Sequence, residues 1–266
     1  MPSSDSASRA ALSRRDRLLI TTCLVLVCAL AWAYLIHLDR QMSAEMQFHA
    51  AMGMSMMDIP WTAIDVFLTF AMWTVMMVGM MAGSAAPVLL LFAASRAKRA
   101  QAGVKSSVLM FGLGYLAVWA GFSACAALAQ WALHEAAMLS PAMSASSPYL
   151  AGAILMVAGA YQLTPWKGAC LTHCRSPLGF LMTHWRDGQL GAFRMGLGHG
   201  AYCLGCCWAL MCVLFVVGVM NLVWVAVLTG LVLIEKIGRA GVMAARVAGA
   251  GMVIGGIVTI VMASTH

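Results

Sequence analysis

Four residues in one short stretch carry side chains suited to holding a soft metal ion: His199, Cys203, Cys206 and Cys207. They lie in the run Gly198-His199-Gly200-Ala201-Tyr202-Cys203-Leu204-Gly205-Cys206-Cys207-Trp208. At about 100° per residue on a helix, His199, Cys203 and Cys206 share one narrow stripe, and Cys207 borders it. Imidazole and thiolate together satisfy soft and borderline metals. Gly198, Gly200 and Gly205 leave room beside them for a neighbouring helix. A single cysteine in an apolar segment is ordinary packing. One histidine with three cysteines in so short a run points instead to metal or redox chemistry.

Three further sets extend this pattern. Cys170, His173 and Cys174 lie between Pro165 and Pro177, and the two prolines predict a constrained turn at the inner membrane surface. Asp65, Thr69, Met72, Met76 and Met80 fall on one helical stripe, with a carboxylate near the outer end and thioethers descending toward mid-membrane. That order suits a relay for a soft cation, although each methionine taken alone could simply pack as leucine would. Finally, His49, Met52 and Met54 stand in a methionine-rich stretch with Met42, Met46, Met56 and Met57. Thioether and imidazole are preferred Cu(I) ligands, so this stretch is either a copper collector or a pliable interfacial segment. Copper is the metal that this donor set selects by softness, and other soft or borderline ions remain compatible.

The elements that must position these residues are apolar. The chain has 266 residues, of which 62% are hydrophobic and 9% charged, with 23 Met and 9 Cys. Its mean hydropathy is +0.88. Soluble domains carry about 25% charged residues, so an aqueous fold is excluded. Seven apolar segments are predicted at roughly 18–36, 64–94, 108–133, 149–163, 196–218, 222–234 and 242–262. The fold class is therefore all-α, a polytopic membrane bundle of about seven transmembrane helices. A disulfide framework is not expected within such segments.

Charge placement sets the orientation. Arg9, Arg14, Arg15 and Arg17 precede the first segment, and Arg96, Lys98, Arg99 and Lys105 separate the second and third. Lys167, Arg175, Arg186 and Arg194 lie between the fourth and fifth, and Lys236, Arg239 and Arg246 flank the last turn. Alternation puts fifteen of the sixteen basic residues on one side, leaving Arg40 on the other. By the positive-inside bias the crowded side is cytoplasmic, with the N-terminus in and the C-terminus out. Residues 1–17 are expected to be a disordered basic tail and 18–263 a single membrane domain. Within it, 39–60 is a Met-rich outer loop and 164–195 a Cys/His-containing inner loop. The net charge of +7 sits in these short clusters, so lipid headgroups rather than nucleic acid are the acidic partner expected. A bacterial inner membrane is the location that this pattern suits.

Glu235-Lys236 closes the sixth segment, where an ion pair with Lys167 or Arg175 is expected. Gly241, Ala245, Ala248, Gly251 and Gly255 predict a close-packing face on the last segment.

Several motifs in order resemble a bacterial family of unknown function whose members are described as predicted metal-binding integral membrane proteins. They are Met72-Trp73-x2-Met76-Met77-x2-Met80-Met81, Tyr161-Gln162-Leu163-Thr164-Pro165-x-Lys167-x2-Cys170-Leu171-x-His173-Cys174-Arg175-x-Pro177, and Cys203-x-Gly205-Cys206-Cys207-Trp208-Ala209-Leu210-Met211. Gly218-Val219-Met220-Asn221-Leu222-x-Trp224 and Glu235-Lys236 complete the resemblance, which covers roughly residues 60–240. Gly83 stands where such proteins often have proline, and Trp166 where leucine is usual. The resemblance implies metal binding and names no metal or reaction.

Three functions follow as expectations. The first is copper handling: binding, transfer, or metallation of an extracytoplasmic metalloprotein or membrane partner subunit. The second is thiol redox chemistry at paired cysteines. The third is a non-catalytic assembly or anchoring subunit. Hydrolase triads, paired acid–base carboxylates and phosphate-binding glycine loops are not evident, so an ordinary enzyme mechanism is not indicated.

Overall fold

The computed structural model describes residues 12–52, 61–99, 103–140, 143–238 and 240–265. Among these residues, every regular element is an α-helix. They run α1 (Arg14–Ala51), α2 (Ala63–Lys98), α3 (Val104–Glu135), α4 (Pro148–Gln162), α5 (Pro165–Arg175), α6 (Pro177–Thr183), α7 (Gly188–Cys212), α8 (Leu214–Val217), α9 (Leu222–Ile237) and α10 (Gly241–Ser264). The seven apolar segments coincide with α1, α2, α3, α4, α7–α8, α9 and α10. Five of these seven are long and apolar enough to cross a membrane. The exceptions are α4 and α9, of 15 and 16 residues. At 1.5 Å per residue each spans about 23 Å, against a hydrocarbon core of about 30 Å. Large apolar side chains such as Leu30, Leu109, Val157, Val247 and Ile254 face outward on several helices, a surface suited to lipid rather than water.

The first helix departs from expectation at both ends. Arg14 to Arg17, expected in a disordered tail, form its first turn. Ser13 caps that turn: its hydroxyl accepts from the Asp16 amide (3.0 Å) and donates to the Asp16 carboxylate (2.9 Å). At the other end, residues 39–51 of the expected outer loop are helical. No glycine or proline occurs between Leu18 and Met52, and Gln, Met, Ala and Glu propagate a helix well. Met52 is exposed just past the helix end. Met54 lies outside the described residues, as does the His49 side chain.

Segment 164–195, expected to be an inner loop, is likewise mostly helical. Pro165 and Pro177, expected to bracket a turn, instead start α5 and α6. Proline suits the first helical turn because its missing N–H is one that has no intrahelical partner there. Thr164 caps α5 by accepting from the Lys167 amide. α5 then folds back against α7.

Small residues set the main helix contacts. A Cβ on Gly114 would meet the Phe193 carbonyl, and one on Gly196 the Phe111 carbonyl, so the α3 and α7 backbones touch. α4 packs on α10 in the same way, through Gly152 and Gly159 against Gly256 and Gly249. The close-packing face of α10 is therefore Gly249 and Gly256, two turns apart, together with buried Ala245. Gly251 and Gly255, expected on that face, have open space beside them. α9 lies against α10, α2 and α5.

The interior is rich in methionine. Met72, Met76, Met77, Met80 and Met81 are all buried, as is Trp73, which donates to Gln130 Oε1 (2.7 Å) and stacks on Phe215.

Candidate metal centre

α7 carries His199, Cys203, Cys206 and Cys207 on one face, and all four are buried. Cys206 and Cys207 each donate back to the Cys203 carbonyl, at 3.1 and 2.9 Å. The Cys203 sulfur receives two polar groups from other helices. Lys236 Nζ of α9 donates to it at 2.9 Å, and Tyr115 Oη of α3 lies 2.9 Å away. The same ammonium reaches Ser84 Oγ at 3.2 Å and Met81 Sδ at 3.7 Å, both on α2. A buried cation is thus held by a thiol, a thioether and a hydroxyl.

α5 brings a second pair of sulfurs to this place. Cys174 Sγ lies 3.8 Å from Cys206 Sγ. Cys170 Sγ fills the gap that Gly205 leaves, where an added Cβ would sit 2.8 Å from it. The α5 and α7 cysteines therefore belong to one cluster. A metal–thiolate bond of about 2.3 Å lets one ion bridge sulfurs up to about 4.6 Å apart, so Cys174 and Cys206 are within reach of a single ion. Among the described residues, no three His, Cys, Asp or Glu side chains already form a closed metal cage. Burial, with the neighbouring Cys206 sulfur, pushes the Cys170 thiol above the usual cysteine range; of the pair, Cys174 is the one set against Cys206. Gly205→Ala is expected to push Cys170 out of its place and to cost about 1–3 kcal/mol by overpacking, read as a lower thermal unfolding midpoint.

A buried ion pair seats α5. Lys167 Nζ donates to Glu235 Oε2 at 2.6 Å and also to Gln162 Oε1, while Gln162 Nε2 donates to Glu235 Oε1 at 2.9 Å. Arg175, the other expected partner, donates to the Gly238 carbonyl instead (3.0 Å). Both contacts tie α5 to α9, the helix that supplies Lys236.

The remaining candidates divide clearly. His199 is enclosed by Phe180, Tyr115 and Phe111, and its Nδ1 is buried without a hydrogen-bond partner. His173 stacks on Tyr202 with parallel rings 4.2 Å apart. Met72, Met76 and Met80 are buried on α2, but the methionine that meets Lys236 is Met81, one position off their stripe. Asp65 stands in the first turn of α2, several turns from Ser84, and completes a capping box, its carboxylate accepting from the Thr62 amide and hydroxyl at 2.8 and 2.7 Å. Lys236, Tyr115, Ser84 and Gln162 were not apparent as site residues from sequence. Lys236 reads there as an interfacial cation beside Glu235, and the other three carry no local signal. Their polarity within apolar segments is the one feature that singles them out.

The described residues are helical, present a lipid-compatible surface and enclose a cluster of donors of the kind that suits a soft metal ion. Residues 70–259 match the model of the PpoB2 family, described as copper chaperone. That match spans most of the chain, and the chain belongs to this family. No curated protein and no solved structure matches it.

Proposed function

We propose that this chain is a multi-pass protein of the bacterial inner membrane that binds copper(I) as cargo and passes it to an extracytoplasmic metalloprotein or membrane partner. The observation that carries this reading is the approach of Cys174 on α5 to Cys206 on α7, beside Cys203 and the Lys236 ammonium. Cu(I) held by two thiolates carries a net charge of −1, which is costly in a low-dielectric interior unless balanced. The Lys236 ammonium supplies that balance. His199, with its free Nδ1, and Met81 are additional soft donors at the cluster's edge. All seven apolar segments cross the membrane in this reading, with the short α4 and α9 supported by longer neighbours. The positive-inside bias then places the Met-rich stretch after α1 outside, where it collects or releases copper, and α5–α6 inside.

Copper analysis of the purified, detergent-solubilised protein tests this. Wild type loaded with Cu(I) anaerobically is expected to retain copper, and a Cys203→Ser, Cys206→Ser, Cys207→Ser variant to lose the copper held at the cysteine cluster. Equal, negligible copper in both would contradict the reading. A reversible Cys174–Cys206 disulfide without copper binding would assign thiol redox chemistry instead.

A further inference from the structure

We propose that His173 and His184 form a second, two-coordinate copper(I) site at the α5–α6 corner, one residue from the cysteine cluster. His173 lies in the last turn of α5 and His184 directly follows α6. Their ring centroids are 6.5 Å apart with planes at 74°. A metal–nitrogen distance of about 2 Å on each side places the centroids of two facing imidazoles about 6 Å apart, a span close to the separation of these rings. This pairs His173 with His184, not with the cysteines that flank it in sequence.

Both rings have their Nδ1 already engaged. His173 Nδ1 donates to the Ala169 carbonyl at 3.0 Å. His184 Nδ1 lies 2.8 Å from Thr183 Oγ1 and 3.3 Å from the Phe180 carbonyl. The Thr183 hydroxyl donates to the Gly179 carbonyl at 2.9 Å, so it accepts from His184. Each ring therefore carries its proton on Nδ1 and presents the Nε2 lone pair. Metal-binding histidines are held in this way, the second nitrogen fixing tautomer and ring orientation. Aromatic stacking adds to that restraint: His173 lies flat on Tyr202, and His184 on Phe180 with centroids 4.9 Å apart.

Position gives the pair its role. His184 is exposed and His173 half-buried, whereas Cys203, Cys206 and Cys207 are buried. His173 adjoins Cys174, whose sulfur touches Cys206. Copper exchanged with a carrier at the histidines can pass by ligand exchange to Cys174 and then Cys206. No change of oxidation state is involved. This role rests on the copper reading of the cysteine cluster, while the site itself does not.

Anaerobic Cu(I) titration of the full-length protein against a chromophoric Cu(I) chelator tests the pair. Wild type is expected to bind one equivalent more than a His173→Asn, His184→Asn variant. The variant keeps its cysteine-bound copper but takes it from the chelator at least tenfold more slowly. His184→Phe preserves the stack on Phe180 and is expected to lose the same equivalent. The Cys203→Ser, Cys206→Ser, Cys207→Ser variant is expected to retain the histidine equivalent, with imidazole scattering in its copper X-ray absorption spectrum. Unchanged stoichiometry and transfer rate in both histidine variants would overturn the site. Loss confined to the cysteine variant would uphold the cluster and reject the pair.

Discussion

Glu235→Gln is expected to destabilise the protein by about 3–5 kcal/mol, because it leaves the Lys167 ammonium buried without its counter-charge. The pair is almost fully enclosed, with side-chain exposures of 2% for Lys167 and 1% for Glu235. Replacing both partners by apolar residues, as in Lys167→Met with Glu235→Leu, removes the buried charges together. That double variant is expected to recover most of the loss, since an apolar pair of similar volume is often neutral or better. Thermal unfolding in detergent reads both effects. The functional consequence concerns α5. Without the clamp, Cys174 is no longer held against Cys206, so Glu235→Gln is expected to label faster at Cys174 with a polar maleimide. Equal stability and labelling would show that Arg175 and helix packing alone seat α5.

Lys236→Met is expected to weaken Cu(I) binding about ten- to a hundredfold. A hydrogen bond to a charged group contributes about 1.5–3 kcal/mol, and here it is removed from beside a bis-thiolate copper of net negative charge. Methionine keeps the stem volume, so packing around Met81 and Ser84 changes little. Lys236→Arg keeps the charge on a broader head and should fall between the two. Competition with a Cu(I) chelator measures the order. Tighter binding in Lys236→Met would mean that the ammonium competes with copper for Cys203 rather than balancing it.

Periodicity alone makes the helices and the α7 face legible. Hydrophobic runs mark their own length, and a 3.6-residue repeat puts His199, Cys203 and Cys206 together without further information. What periodicity leaves hidden is tertiary. Cys170 and Cys174 sit more than thirty residues from Cys206. Only the fold-back of α5, allowed by Gly205 and fixed by Lys167 and Glu235, brings them close. Lys236 reads as an interfacial cation because nothing local shows that its partner is the Cys203 sulfur. The prolines mislead for a physical reason: the same residue that breaks a helix interior is welcome at its first turn. Asp65 is legible as a costly membrane carboxylate. Thr62-x-x-Asp65 is also a cap, and the structure uses it as one.

Copper handling by this chain requires that the cysteines of α5 and α7 form one copper site. X-ray absorption at the copper edge of the Cu(I)-loaded wild type and of Cys174→Ser tests it most directly, each protein carrying His173→Asn and His184→Asn so that copper at the cluster alone is seen. The expected spectrum has a sulfur shell at about 2.3 Å, with one fewer sulfur, or one replaced by a lighter donor, in Cys174→Ser. A shell of light donors only, or an identical sulfur shell with and without Cys174, would contradict it.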